Sequence, residues 1–348
     1  MDERQVLLAR TEQCLLDVER RIGLLSRVSP KNFQLVIEQW IGDDMPRAFV
    51  YEQPVDWSLE WTLLETLERE LSSLGNDVVV RLLVGRIAEL ALELRLVEAC
   101  GSADVARLGA ERFSFQPSER ESARALAANW LAEPDPDLSK AERGSWPLLA
   151  SSLSRHPGVI ALGCGVVEAD IVSLAAVAGG RLLVRRGARA SPRDAERIFV
   201  HEVGAHLGPR LRAEREGPPF RIGTAGSAQD EEGRAVLLEE RNGLLDVARR
   251  RELAARCVAA EAALAGADAS EILRRLAALG LQDELARRLA LRAVRGGGTT
   301  GGGLGREVVY LAGYLRVARA LGEAPELESW MTRGRISIVG ARALGATA

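Results

Sequence analysis

The chain has 348 residues, 47% of them hydrophobic and 27% charged, with a formal net charge of −3. That length allows one large or two medium domains, and the apolar content suffices for a buried core, which excludes global disorder. The charge balance lacks the basic excess that nucleic acid or an anionic membrane surface calls for, so neither is expected as a partner.

Residues 1 to about 28 predict an amphipathic helix, from Leu7, Leu8, Cys14, Leu15, Leu16 and Ile22. A looser stretch punctuated by Pro30, Pro46 and Pro54 follows, then helices over 57–74, with Trp57 and Trp61 as core, and over 77–99. Another helix is expected from Pro117, where Ser118 and Glu121 have capping-box spacing, ahead of a loop over 133–140. Between 166 and 188, short apolar runs flank Gly179-Gly180 and predict a β-hairpin or two neighbouring strands. Ser191-Pro192-Arg193-Asp194 is a strong helix start, because Ser caps, Pro suits the first position and Asp suits the dipole. That helix is expected to stop near Leu207, at Gly208-Pro209. Ser227 and Asp230 predict a second capped start and a long helix over about 228–250, with Arg249-Arg250-Arg251 as a solvated face. Further helices fill 251–293. A glycine-rich segment, 295–305, lacks the order of a phosphate loop and reads as a flap or linker before a last helix at 306–322.

The first ten residues carry charges of both signs without a long apolar run, so no signal peptide is expected. The most apolar stretch, 159–184, is interrupted by Glu168, Asp170 and Arg181 and is too short between breaks to span a bilayer. Cys14, Cys100, Cys164 and Cys257 are too scattered for a metal knuckle or redox pair, which favours a reducing, cytoplasmic location.

Of three histidines, two fall in His201-Glu202-Val203-Gly204-Ala205-His206. This is the zinc-peptidase pattern H-E-x-x-H with one residue added. In the shorter pattern, residues i and i+4 share a helix face, so both imidazoles reach one zinc and the Glu meets its water. Five steps along a regular α-helix leave the side chains about 140° apart. A π-bulge restores a common face, and Gly204 sits where distortion is easiest, so a bulge or an early helix end is expected between Val203 and His206. Zinc needs a third protein ligand. His156 is the weaker choice and Glu231-Glu232, at the start of the next helix, the stronger. The competing reading is a pair of structural histidines without metal.

Several blocks resemble the tyrosine/phenylalanine carboxypeptidase domain family, whose members include microtubule-associated tyrosine carboxypeptidases and bacterial proteins named for a QEGLA motif. The segment 180–191 followed by Val200-His-Glu-Val-Gly-Ala-His206 is similar to the family's strand and H-E-[IV]-G-x-H segment. Gly223-Thr-Ala-Gly226 through Glu231-Glu232-Gly233-Arg234-Ala235 is similar to its G-L-P-G-Y…E-E-G-L-A block, and 306–313 to its T-K-D-x-x-Y-L-x-G block. Weaker similarity reaches upstream to 29–32 and 47–51. The resemblance implies zinc held by His201, His206 and Glu232, with Glu202 as general base. It also offers Tyr310 as oxyanion donor and Arg306, where the family has Lys, as binder of a substrate carboxylate. The blander alternatives are a core Tyr310, a surface Arg306 and a solvated Glu232 at a helix start. Three departures bear on substrate: Arg234 in place of the motif leucine, Ser227 in place of a tyrosine, and Leu207-Gly-Pro-Arg210 in place of an apolar continuation.

The expected fold is α+β, predominantly α, zincin-like, with a small sheet before the active-site helix. Helices over 1–115 are expected to pack on a catalytic part at 116–348. The expected reaction is zinc-dependent hydrolysis that releases a C-terminal residue, aromatic on the resemblance, from a peptide or protein. The alternatives are a zinc hydrolase of a small amide or biosynthetic peptide and a non-catalytic zinc-containing regulatory or binding protein.

Overall fold

The computed structural model describes residues 3–40, 48–134, 146–281, 283–298 and 301–347. Pro46, Arg47, most of the loop expected at 133–140 and residues 299–300 of the glycine-rich segment lie outside the described residues.

Amphipathic helices build the N-terminal part. α1 (Glu3–Ile22) buries Leu8, Leu15, Val18 and Ile22, and α2 (Ser58–Ser72) buries Leu64, Leu67 and Leu71. α3 (Val78–Glu98) starts on Asp77, whose carboxylate accepts the N–H groups of Val79 and Val80. The three share one apolar cluster, with Trp57 inside it and Trp61 half-buried at its side. α1 stops before 28 because Gly23 takes a left-handed conformation (φ 49°), after which only the turn Leu24–Arg27 is helical. A short helix, Phe33–Gln39, lies within the stretch read as loose. The sequence reading also missed α4 (Asp104–Arg112), whose buried side holds only Val105, Leu108, Gly109 and Arg112 and so shows little apolar period. α5 (Pro117–Leu131) forms as expected, but its capping box is Gln116 with Glu119, since Pro117 fixes the first helical position.

The expected hairpin is present, with a third strand beside it. β1 (Val166–Ala169), β2 (Ala175–Ala178) and β3 (Arg181–Arg185) form a sheet of order β1-β3-β2. β2 and β3 pair antiparallel around Gly179 and Gly180, both at positive φ, as a two-residue type I′ turn demands. β1 runs parallel to β3, with Val166 opposite Leu182. Ala175, Leu182 and Val184 pack against Ile198 and Val203, which fixes the sheet against the histidine-bearing helix.

α6 (Pro192–Ile198) begins on Ser191, whose hydroxyl accepts from the N–H of Asp194. It passes directly into a π-helix, Phe199–Leu207, and then into α7 (Gly208–Ala213). The stop expected at Gly208-Pro209 is therefore absent. Gly208 has helical angles (φ −57°, ψ −51°), and Pro209, near the start of α7, continues the helix without a backbone N–H of its own.

The single helix expected over 228–250 is two, α8 (Ser227–Arg241) and α9 (Val247–Leu264), broken at Gly243 (φ 67°) and restarted by the Asp246 cap. Ser227 and Asp230 do not cap α8. Gly226, left-handed at φ 78°, precedes it, and Asp230 instead accepts from the Ile338 N–H and the Arg316 guanidinium. Nor is Arg249-Arg250-Arg251 a solvated face. Arg249 is buried against Glu239 and Glu252, Arg250 holds Glu133, and Arg251 donates to the carbonyls of Leu131, Glu133 and Leu279. α10 (Ala269–Ala278) and α11 (Asp283–Ala293) match the expected helices. A 3₁₀ turn, Arg306–Val308, opens α12 (Val309–Glu323). That helix is not the last, because Leu327–Met331 and α13 (Ile338–Gly345) follow it.

α8 and α12 meet backbone to backbone. A Cβ at Gly233 would lie 2.2 Å from the Gly313 carbonyl carbon, and one at Gly313 would lie 2.6 Å from the Gln229 oxygen. Gly233→Ala is therefore expected to destabilise the fold by about 1–3 kcal/mol or more through overpacking beside Glu232, read as a lowered urea midpoint. An unchanged midpoint would mean that the two helices can separate freely. Helices from both ends of the chain share cores: Val105 and Phe113 cluster with Leu253 and Tyr310. Among the described residues no helix is long and apolar enough to cross a membrane.

Candidate metal centre

A π-helix closes its hydrogen bonds five residues back, so residues five apart come to lie over one another. The N–H of Gly208 bonds the Val203 carbonyl in this way. His201 and His206, which would diverge on an α-helix, are thereby brought onto one face edge to face, with ring centroids 5.3 Å apart and planes at 62°. Both are buried. α8 crosses them and presents Glu232. Its Oε2 lies 3.4 Å from His201 Nε2 and 3.9 Å from His206 Nε2. These three side chains are the one group of three or more potential ligands among the described residues, each offering an atom within 4.8 Å of the others.

The fit to a metal can be tested on two observations. Glu232 Oε2 is buried and accepts no hydrogen bond, a costly state for a carboxylate oxygen unless a cation neutralises it. Tetrahedral zinc with bonds of about 2.0–2.1 Å places its ligand atoms about 3.3 Å apart, close to the spacing here. The donor set of two imidazoles and one carboxylate, with a fourth position facing a cavity, fits such an ion.

Each imidazole is held from behind by a carboxylate on its other nitrogen. His201 Nδ1 lies 2.7 Å from Glu239 Oε1, and the fully buried Glu239 is gripped by Arg249 through two bonds of 2.8 and 2.9 Å. His206 Nδ1 lies 3.3 Å from Glu231 Oε2. Glu231 is approached in turn by Arg335 and Arg210, and Arg335 also pairs with Glu19 of α1 at 2.7 Å. Both rings are thus turned with Nε2 toward Glu232. Burial opposes charge on His201, but its contacts with Glu232 and Glu239 push it up to about 9. Burial likewise opposes ionisation of Glu231, yet His206 and the Arg335 and Arg210 guanidiniums hold it at about 2. Glu232 is held well below the usual carboxylate range, burial being outweighed by Arg306 and the two histidines.

Glu202 is half-buried and lines the cavity beside His201. Tyr310 is buried on the same cavity wall, its ring centroid 6.4 Å from that of His201 and 5.0 Å from the Arg256 guanidinium carbon. Burial, then the negative charges of Glu232 and Glu307, raise its phenol. Arg306 also lines the cavity, but it is not free: its Nη2 donates to Glu232 Oε1 at 2.6 Å. His156 is engaged elsewhere. It caps Pro157–Leu162 through Nδ1 and meets Glu196 through Nε2 at 2.9 Å. The cavity measures about 1060 Å³ and is bounded by β2, the π-helix, α8, α9, α11 and the Arg306 turn. Twelve arginines and seven glutamates line it, so its interior favours an anionic group.

The sequence reading missed Glu239 and Arg249. The available signal was Glu239 lying seven residues after Glu232, two turns on along the same helix face. Arg249 had none, because it enters from another helix.

A comparison with curated proteins finds no match. The family profile described as microtubule-associated tyrosine carboxypeptidase matches residues 43–347, which include every residue of the centre and nearly the whole chain. The two facing histidines and the glutamate between their inner nitrogens thus sit inside a matched region of 305 residues, and the chain belongs to the microtubule-associated tyrosine carboxypeptidase family.

Proposed function

We propose that this protein is a zinc-dependent metallopeptidase of zincin-like design that releases the C-terminal residue of a peptide or protein. The family description, a tyrosine carboxypeptidase, favours an aromatic residue. The observation that carries the reading is Glu232 Oε2, buried, without a hydrogen bond, and facing both histidine Nε2 atoms.

His201, His206 and Glu232 would hold the zinc. When bound, zinc supplies Lewis acidity to the scissile carbonyl and to the attacking water. Glu202 takes the proton from that water and returns it to the departing amine. Tyr310, kept protonated by its burial, donates its hydroxyl hydrogen to the developing oxyanion. Arg306 spends one nitrogen on Glu232, and its remaining donors are available to the substrate's terminal carboxylate. The arginine excess of the cavity wall supports the same anionic group.

The test combines metal analysis of the purified protein with amino-acid release from peptides ending in a free or an amidated tyrosine. One zinc per chain and release from the free acid alone are expected. Equal cleavage of the amide would exclude a carboxypeptidase, and a wild type without zinc would sink the metal assignment. The carboxylate behind His201 gives a second check. Glu239→Gln is expected to weaken zinc binding by about ten- to hundredfold in a chelator competition, because the ring loses its orienting charge. An unaltered affinity would show that Glu239 serves only Arg249.

A further inference from the structure

The π-helix that aligns the histidines leaves a defect in its own hydrogen-bond ladder. The Gly208 N–H is spent on the Val203 carbonyl. The donor that would next serve Gly204, or Ala205 in an α-register, is residue 209, which is proline and has no N–H. One carbonyl beside His206 is therefore short of a backbone donor; the Gly204 backbone is exposed, but Ala205, His206 and Leu207 are all buried from water.

The shortfall is met from another helix. Arg234, on α8 two residues after Glu232, is 3% exposed, and its Nη2 donates to the Gly204 oxygen at 3.2 Å and to the Ala205 oxygen at 3.0 Å. No carboxylate among the described residues pairs with it. A buried guanidinium with no carboxylate in contact is costly, and the two backbone carbonyls, with their partial negative charge, offset part of that cost alongside the more distant charges of Glu231 and Glu328. Arg234 and Gly208-Pro209 were singled out separately in the sequence as departures from the family pattern. In the structure they are two halves of one contact.

We propose that Arg234 is a positioning residue: its guanidinium replaces the backbone N–H that Pro209 lacks, and so keeps the π-turn wound with His206 directed at Glu232. The link to zinc rests on the metal reading above. The strap itself does not, and the experiment separates the two.

The test uses the full chain with Arg234→Leu, Arg234→Lys and Arg234→Leu combined with Pro209→Ala. The first readout is amide hydrogen exchange without added metal. Arg234→Leu is expected to speed exchange in 199–213 by about tenfold or more while other helices keep their protection, because two bonds from a charged donor are lost. Lysine, with a single ammonium, falls between. Pro209→Ala restores a backbone donor and returns exchange to near the wild-type rate. The second readout is zinc affinity, expected to fall by about ten- to hundredfold in Arg234→Leu and to recover in the double variant. A folded Arg234→Leu protein with unchanged exchange in 199–213 overturns the proposal, as does a loss that Pro209→Ala fails to rescue. If Arg234→Leu does not fold, an Arg234→Lys protein with wild-type exchange in that segment overturns it equally. A wild type that takes up no zinc, together with the expected exchange changes, defeats the metal reading and leaves the strap standing.

Discussion

Glu202→Gln is expected to lower kcat by about 10²- to 10⁴-fold on a peptide with a free C-terminal tyrosine, while the zinc content stays at wild-type level. Glu202 follows a proposed ligand directly in sequence and lies on the cavity wall, where its carboxylate makes no hydrogen bond or ion pair to another described residue. Gln keeps its volume and removes its basicity alone, so packing and metal binding have no reason to change. Turnover and bound zinc should be measured on the same sample. Loss of both would make Glu202 structural. Retention of both would exclude it as the proton acceptor and leave that role to another group on the cavity wall.

Glu307→Gln should produce the largest loss of stability, about 3–5 kcal/mol at neutral pH. Glu307 is 1% exposed and is the shared anion of a buried group of arginines: Arg292 at 3.1 Å, Arg295 at 3.0 Å and Arg256 at 3.5 Å. Burial alone would raise its carboxyl, but these guanidiniums hold it at about 2. The unfolded chain's glutamate titrates near ~4.3. The folded value is the lower one, so the stabilisation is complete above the unfolded value and is lost as pH falls from there toward about 2. Urea midpoints of wild type and variant should lie far apart at pH 7 and converge over that acid window. A gap that ignores pH would mean that Glu307 does not carry its charge in the native protein.

The site was legible where the chemistry is local. The five-residue spacing of His201 and His206 cannot serve one ion on an α-helix, and the π-helix resolves it in the predicted place, over a longer span than a single bulge. Ser191 and Pro192 announced the helix that carries the pair, and Gly179-Gly180 announced the hairpin. What stayed hidden depends on tertiary partners. Gly208-Pro209 reads as a stop by every local rule, and Arg234 on a different helix overrides that reading by supplying donors the sequence cannot show as near. Arg249-Arg250-Arg251 has the composition of a wet surface, yet Glu239, Glu252 and Glu133 draw all or part of it inward. Asp230 has an N-cap's place in the sequence but is claimed by Arg316 and Ile338, which lie 86 and 108 residues away.

The supports of the two histidines differ in how far along the chain they reach. His201 leans on Glu239, and Glu239 on Arg249, ten residues later. His206 leans on Glu231, which shares Arg335 with Glu19, a partnership spanning 316 residues. The carboxylates themselves are near, 38 residues from His201 and 25 from His206. What differs is the layer behind them: that of His201 is closed by the next helix, and that of His206 by a tie between the two ends of the chain. Removing α1 would take Glu19 from Arg335 and leave the support of His201 untouched.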